Sequence, residues 1–252
     1  MGRGNSGLSP KSKNSITSLS LGDGTKIDLS DFPLTYGEKD AYVDGDRRKA
    51  IEEFESKRFT AKIEFGRVVD KDGNVLCDNK GSKGSCRLDY TALQSEGGVA
   101  THNHPRTGSE AGELGGTFSQ ADLRIVAHRK ISTMRATAAE GTYSLTKQPG
   151  FNSEGFMRYV DGSYAKLRTA YEAEVRGLGE KLHAAYKNTS SATETKDLYE
   201  SYQRDSKSAF NRMLVGMHNS LLDGQKQYGY SYSLEQREST KQSKPKRTRK
   251  EK

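Results

Sequence analysis

The chain has 252 residues, 32% of them hydrophobic, with no Trp and a formal charge of +8. That length suits one ordinary domain with extensions, but the composition is too polar for a single tightly packed core, so a compact centre with polar ends is expected. No apolar run approaches the ~20 residues that span a bilayer, which argues against a membrane protein. The first residues, Met1-Gly2-Arg3-Gly4-Asn5, lack the apolar stretch of a signal peptide, which points to the cytoplasm.

Residues 1–40 read as an N-terminal arm. Its first 25 or so residues are rich in Gly, Ser, Asn and Lys and are expected to be flexible, and Leu29, Phe32, Leu34 and Tyr36 pin its end to the core. Asp44 to Arg58 has a thin apolar face, Ile51 and Phe54, and reads as a helix. Phe59 to Asp70 reads as a strand, Asp72-Gly73 as a tight turn and Val75 to Asp78 as the returning strand. Alternation places Glu64 on the face opposite Ile63 and Phe65. Gly81 to Ser85 is a loop, and Leu88 to Leu93 a short helix with Asp89 near its start. Cys77 and Cys86 are the only cysteines, read as two unpaired thiols or as facing each other across a hairpin.

Gly97 to His102 reads as a buried strand running into His102-Asn103-His104-Pro105. In an extended segment His102 and His104 point the same way, and Pro105 ends the pairing. Arg106 to Thr117 is glycine-rich and expected to be a mobile loop. Ser119 to Lys130 is a helix with Leu123, Val126 and Ala127 inward. Thr133 to Ala139 and Thr142 to Lys147 form a closing pair of strands around Glu140-Gly141. Residues 153–187 and about 194–223 are two long helical patterns, their apolar positions including Tyr159, Leu167, Leu214 and Leu221. The Thr/Ser-rich stretch 188–193 between them makes an antiparallel hairpin over 151–235. Gly224 is expected to stop the second helix, and Tyr228-Gly229-Tyr230-Ser231-Tyr232 to lie back on the body. The tail 236–252 is basic: residues 241–252 hold seven Lys or Arg against Glu251, leaving the body nearly balanced. Such a tail is expected to be disordered. It is a candidate for nucleic acid or another polyanion through counterion release, or a solvated tail that aids solubility.

The chemistry concentrates at His102, His104 and Asp122. Catalytic zinc takes three protein ligands and leaves a position for water, and two imidazoles with one carboxylate suit Zn2+. Zinc lowers the pKa of its water to about 7. A carboxylate must then take the water's proton and pass it on, for which Glu64 is the candidate, and Ser119 is placed to donate to a developing oxyanion. Each element also has a plainer reading. Ser119-x-x-Asp122 before an apolar run is a helix capping pattern, His-x-His on a strand end is polar loop chemistry, and Glu64 alone is a solvent-facing strand residue. The conjunction favours metal. His128, His183 and His218 sit in helical patterns and read as surface or core histidines. Three adjacent letters His-Asn-His do not make an HNH nuclease, and the His-x-Glu and Pro-Cys-x-x-Cys of zinc nucleobase deaminases are absent.

Glu64-Phe65-Gly66, Thr101-His102-Asn103-His104-Pro105 and Phe118-Ser119-Gln120-Ala121-Asp122-Leu123 together resemble the MPN (JAB/JAMM) metalloprotease signature, in its bacterial and phage His-Asn-His-Pro variant. The resemblance covers about residues 45–148, within a domain read as 41–150. It implies an α/β fold with a curved mixed β-sheet flanked by helices, the architecture shared with cytidine deaminases. It also implies Zn2+ on His102, His104 and Asp122, Glu64 as acid/base and Ser119 as oxyanion helper. Members hydrolyse peptide or isopeptide bonds, often removing ubiquitin-like modifiers, so a protein substrate, a ubiquitin-like conjugate included, is the implied partner. Extensions such as the hairpin and basic tail suggest a phage or mobile-element setting, in host cytoplasm or virion. The thirteen residues between Pro105 and Ser119 exceed the usual spacing, and the glycine-rich surplus is expected to loop out. The competing expectation is a structural or interaction protein that keeps the fold, docks by the hairpin and binds nucleic acid by the tail. A zinc nuclease is a third, supported by the tail alone.

Overall fold

The computed structural model describes residues 15–20, 26–37, 45–105, 114–189 and 191–236. The basic tail, most of the Arg106–Thr117 loop and the first fourteen residues lie outside these.

The chain builds an α/β unit on a six-stranded mixed sheet. Its strands are β5 (Phe65–Val69), β6 (Val75–Lys80), β7 (Val99–Asn103), β8 (Thr133–Thr137), β9 (Thr142–Lys147) and β10 (Tyr230–Glu235), in the spatial order β10-β9-β8-β7-β5-β6. Only β7 and β8 run parallel, and the connection between them carries helix α2 (Gln120–His128). The central strands β7 and β8 are buried throughout, because the sheet is covered on both faces.

Residue alternation sorts the layers. Ala100, Met134, Ala136, Tyr143, Leu145, Tyr232 and Leu234 face one side and join the main core, which includes Leu123 and Val126 of α2. The same core takes Phe156, Val160 and Tyr164 from α3 (Ser153–Tyr186), and Val215 and Leu221 from α4 (Ala192–Tyr228). The other face is polar, with Thr101, Thr133, Arg135, Thr137 and Ser144 all buried. Helix α1 (Gly45–Arg58) lies on it, packing Ile51 against Val69 and Val99. Its Glu55 takes Arg135 bidentately, Oε1 from Nε at 2.7 Å and Oε2 from Nη2 at 3.0 Å. Glu235 of β10 takes the rest of the guanidinium at 2.9 and 3.0 Å, and Thr101 Oγ1 donates to Glu55 at 2.9 Å.

Several boundaries differ from the expected ones. The first long strand begins at Phe65 rather than Phe59, because the chain is still bonded to the end of α1. Phe59 N donates to Glu55 O, and Ala61 N to Arg58 O. Leu88 to Leu93 gives only a 3-10 turn at Ala92–Gln94, held by Asp89 Oδ1 accepting from Ala92 N at 2.8 Å. Within the N-terminal arm, residues 15–20 and 26–35 contain short strands. β1 (Ser15–Ile16) pairs with β4 (Leu34–Thr35), and β2 (Ser18–Ser20) with β3 (Lys26–Asp28). Leu29, Leu34 and Tyr36 are buried as expected, and Phe32 packs partly buried against them.

The second long helix does not stop at Gly224. That glycine is packed inside it, where a Cβ would lie 2.6 Å from the Tyr230 hydroxyl and 2.8 Å from the Tyr159 ring. The left-handed cap is Gly229, at φ 72°, after which the chain returns as β10 along β9. The hairpin's inner ends thus share the core, while no described residue from 165 to 208 is fully buried and the two helices there cover mainly each other. Cys77 and Cys86 are unpaired and half-buried.

His218 of α4 is a core histidine. Its Nε2 donates to Thr35 O at 2.9 Å, so Nδ1 accepts from Tyr232 OH at 2.7 Å, and Thr117 Oγ1 lies 2.8 Å from that hydroxyl. Burial pushes the imidazole down to about 4, against the raising effect of the Thr35 carbonyl. The unfolded histidine titrates near 6.5, so as pH falls it takes up a proton before the folded one does. The stability tied to neutral His218 is therefore complete above about pH 6.5 and is lost between there and about pH 4, up to roughly 3 kcal/mol. Urea unfolding at pH 7.5 and 4.5 should show the parent losing more stability than His218→Gln by about that amount. Equal losses would show that His218 does not carry it.

Candidate metal centre

The centre sits where β7 ends and α2 begins. β7 pairs with β5 on one side (Gly66 opposite His102) and with β8 on the other (Ala136 opposite His102). After Asn103 the backbone stays extended long enough for His104 N to donate to Thr137 O at 2.9 Å. His102 and His104 therefore share a face, and their Nε2 atoms lie 2.9 Å apart. Asp122 comes from the first turn of α2. Its Oδ1 is 3.4 Å from His102 Nε2 and its Oδ2 3.9 Å from His104 Nε2. Two donors at about 2.0–2.1 Å from one tetrahedral ion lie about 3.3 Å apart, so these separations bracket what a single zinc requires.

The capping and ligand readings of Ser119-x-x-Asp122 turn out to be compatible. Ser119 is the N-cap, with Asp122 N donating to its Oγ at 3.2 Å. The return half of the box uses Asp122 Oδ2 alone, which accepts from Ser119 N at 2.8 Å and Ser119 Oγ at 2.7 Å. Oδ1 is left facing His102. The cap thus fixes the carboxylate that the site needs. The single Ser119 hydroxyl proton is engaged with Asp122, so giving it to an oxyanion requires the hydroxyl to rotate away.

His104 is oriented by what lies behind it. His104 Nδ1 lies 2.9 Å from Gly116 O, which can only accept, so the proton is on Nδ1 and Nε2 is bare. Gly116 is held in turn by Glu140, whose carboxylate accepts from Gly116 N at 2.7 Å, Gly115 N at 3.0 Å and Tyr143 OH at 2.8 Å. The end of the Arg106–Thr117 segment, Leu114 to Thr117, is thereby tied to the core. Tyr164 of α3 donates to Phe118 O at 3.1 Å, and Gln120 to Asp161 of α3 at 2.9 Å, so the hairpin's base seats the start of α2.

The electrostatics favour positive charge beside Asp122. Burial pushes the Asp122 carboxyl up, but His102, His104 and Ser119 together hold it well below the carboxylate range. Burial pulls His102 down, and the Asp122 charge and hydrogen bond, with Glu64 adding, outweigh it and leave His102 raised. His104 is pushed down to about 4 by burial and by His102, which keeps it neutral, as a metal ligand must be.

Glu64 lies one residue ahead of β5, where Glu64 N donates to Ser82 O at 2.7 Å and Gly81 N to Glu64 O at 2.8 Å. It is half-buried and raised above the ordinary carboxylate value by burial, with His102 pulling down and Asp122 pushing up. These couplings place it within electrostatic reach of the two ligands. Its neighbour Cys86 is pushed up to about 11, by burial first and the Glu64 charge second, so it is an inert thiol at neutral pH.

His102, His104 and Asp122 converge within 4.8 Å of one another, Ser119 caps the helix that carries Asp122, and the Glu64 carboxyl feels the charges of His102 and Asp122. Glu140 and Tyr164 were missed, since nothing local marks a turn glutamate or a helical tyrosine as a support for a ligand distant in sequence. His128 and His183 are exposed helical residues. No known protein family, no curated protein and no solved structure gives a significant match to this chain.

Proposed function

We propose that the chain is a zinc-dependent hydrolase of peptide or isopeptide bonds, of the MPN (JAB/JAMM) type. The observation that carries this reading is the convergence of two neutral-capable imidazoles and a capped carboxylate, with a raised glutamate at hand. The donor set fits zinc: His102 and His104 through Nε2 and Asp122 through Oδ1. When bound, zinc supplies Lewis acidity that makes a water acidic near neutral pH.

The protein's own groups do the rest. Glu64, raised above the ordinary carboxylate value by burial, takes the proton from the attacking water and delivers it to the leaving amine. Ser119 holds Asp122 and, on rotating, offers its proton to the oxyanion. Burial of His102 and the surrounding core keeps the histidine side of the centre dry, which strengthens these charges.

Incubation with a panel of quenched peptides and isopeptide-linked conjugates tests it. Hydrolysis should stop on chelation and return with zinc. Glu64→Gln should keep the zinc and lose at least about 100-fold in kcat. A Glu64→Gln protein as active as the parent would remove the mechanism.

One observation favours a second reading, a docking protein. Tyr199, at 49% exposure and stacked on Tyr202, lies on the outer half of the hairpin, where no described residue from 165 to 208 is fully buried. Salt-dependent binding of nucleic acid without metal would support that reading over the first.

A further inference from the structure

We infer that Asn103 is a positioning residue for Glu64, an inference that rests on the hydrolase reading above. Its side chain lies between two ligands in sequence yet serves neither. Fully buried, it reaches sideways to the backbone at the start of β5, where Oδ1 accepts from Phe65 N at 2.7 Å and Nδ2 donates to Ile63 O at 3.0 Å. Those two backbone groups flank Glu64 on either side.

The reason an asparagine is needed there lies in the sheet. The β5–β7 ladder ends at Gly66 opposite His102. Beyond that point β7 has turned its backbone to β8, through His104 N and Thr137 O. Ile63 and Phe65 would then have no partner on their inner side, and a part-buried backbone group left without one is destabilising. The Asn103 carboxamide supplies one acceptor and one donor with the spacing of a peptide unit, and so continues the ladder for one more step. On the outer side Glu64's own N–H and C=O are bonded to Ser82 and Gly81. The glutamate's backbone is therefore held on both edges, and Asn103 supplies the inner one.

Residue chemistry makes the position selective. Aspartate keeps the acceptor for Phe65 N–H but has no donor for Ile63 O. Leucine has nearly the same shape and offers neither. Glutamine is one carbon too long for both bonds at once. Because the backbone of Asn103 also sets the spacing of His102 and His104, one residue registers the metal ligands against the acid/base group.

Cobalt-substituted protein separates this role from general support of the site. Asn103→Leu, Asn103→Asp, Glu64→Gln and the double Asn103→Leu/Glu64→Gln are compared by cobalt content, visible spectrum and the kcat–KM split on the peptide and isopeptide panel. Asn103→Leu should keep stoichiometric cobalt and an unchanged ligand-field spectrum, and lose about tenfold or more in kcat with KM little altered. Asn103→Asp should recover part of that loss. The double variant should be no slower than Glu64→Gln alone, within about twofold, because a misplaced glutamate and an absent one are the same defect. Additive losses, or loss of cobalt by Asn103→Leu, would overturn the inference while leaving the hydrolase reading intact. A parent protein that takes up no cobalt, or takes it up and hydrolyses nothing, would overturn both.

Discussion

Arg135→Met destabilises the protein by about 3–5 kcal/mol, which for a chain of this size lowers the melting temperature by roughly 6–20 °C. The guanidinium lies between two carboxylates, each held by two hydrogen bonds, and all three side chains are less than a tenth exposed. Methionine fills much of the same volume, so the loss comes from taking the guanidinium's charge and hydrogen bonds away from two buried carboxylates rather than from a cavity. Changing Glu55 and Glu235 to leucine together with Arg135→Met should return much of the stability, since a network removed whole leaves no buried charge behind. Calorimetric melting of the single and triple variants checks both statements. A single variant within about 1 kcal/mol of the parent would show that the network is not needed where it stands. The network also joins α1, β8 and β10 through residues 80 and 100 positions apart in sequence, so its loss is expected to weaken the sheet as a whole.

Zinc should raise the melting temperature of the parent and leave His104→Ala and Asp122→Ala unmoved. A ligand that binds only the folded chain stabilises it by RT ln(1 + [L]/Kd), about 4 kcal/mol at a thousandfold excess over Kd. Removing one of three protein donors should cost more than the 10–100-fold typical of losing a group behind a ligand, enough to strip the site on dialysis. The metal-free variants should differ from each other. Asp122→Ala also removes the acceptor of the Ser119 capping box and so loses a further 0.5–2 kcal/mol or so of helix stability, whereas His104→Ala leaves the cap whole. Elemental analysis after dialysis should return about one zinc per chain for the parent and almost none for either variant. A parent that neither holds zinc nor melts higher with it would end the metal reading.

What could be read in advance follows the range of the interactions involved. The Asp72-Gly73 hairpin, the capped start of α2 and the two long helices depend on neighbours within a few residues, and each lies within a few positions of where its pattern puts it. The site was legible for the same reason. His102 and His104 are two apart, Ser119 and Asp122 three apart, and their chemistry is in their identities. Three kinds of feature were not legible. Phe59 to Ala61 has strand-like composition but is bonded back to the end of α1. Gly224 and Gly229 look alike as helix stops, and only the closeness of Tyr159 and Tyr230 shows that the first is packed and the second turns. Glu140 and Tyr164 act on residues brought near by the fold alone, and Asn103 was visible but its partners at Ile63 and Phe65 were not.

The last strand of the sheet has a temporal consequence. β9 is finished at Lys147, but the segment that pairs with it along its whole length is made only after both long helices. At about 5–20 residues per second a ribosome needs on the order of ten seconds to cover that interval. Throughout it the edge of β9 is an open row of backbone donors and acceptors, and the carboxylate that completes Arg135's surroundings has not yet been synthesised. Nascent chains stalled within the helices would carry that edge exposed, a point at which self-association competes with folding until the closing strand arrives.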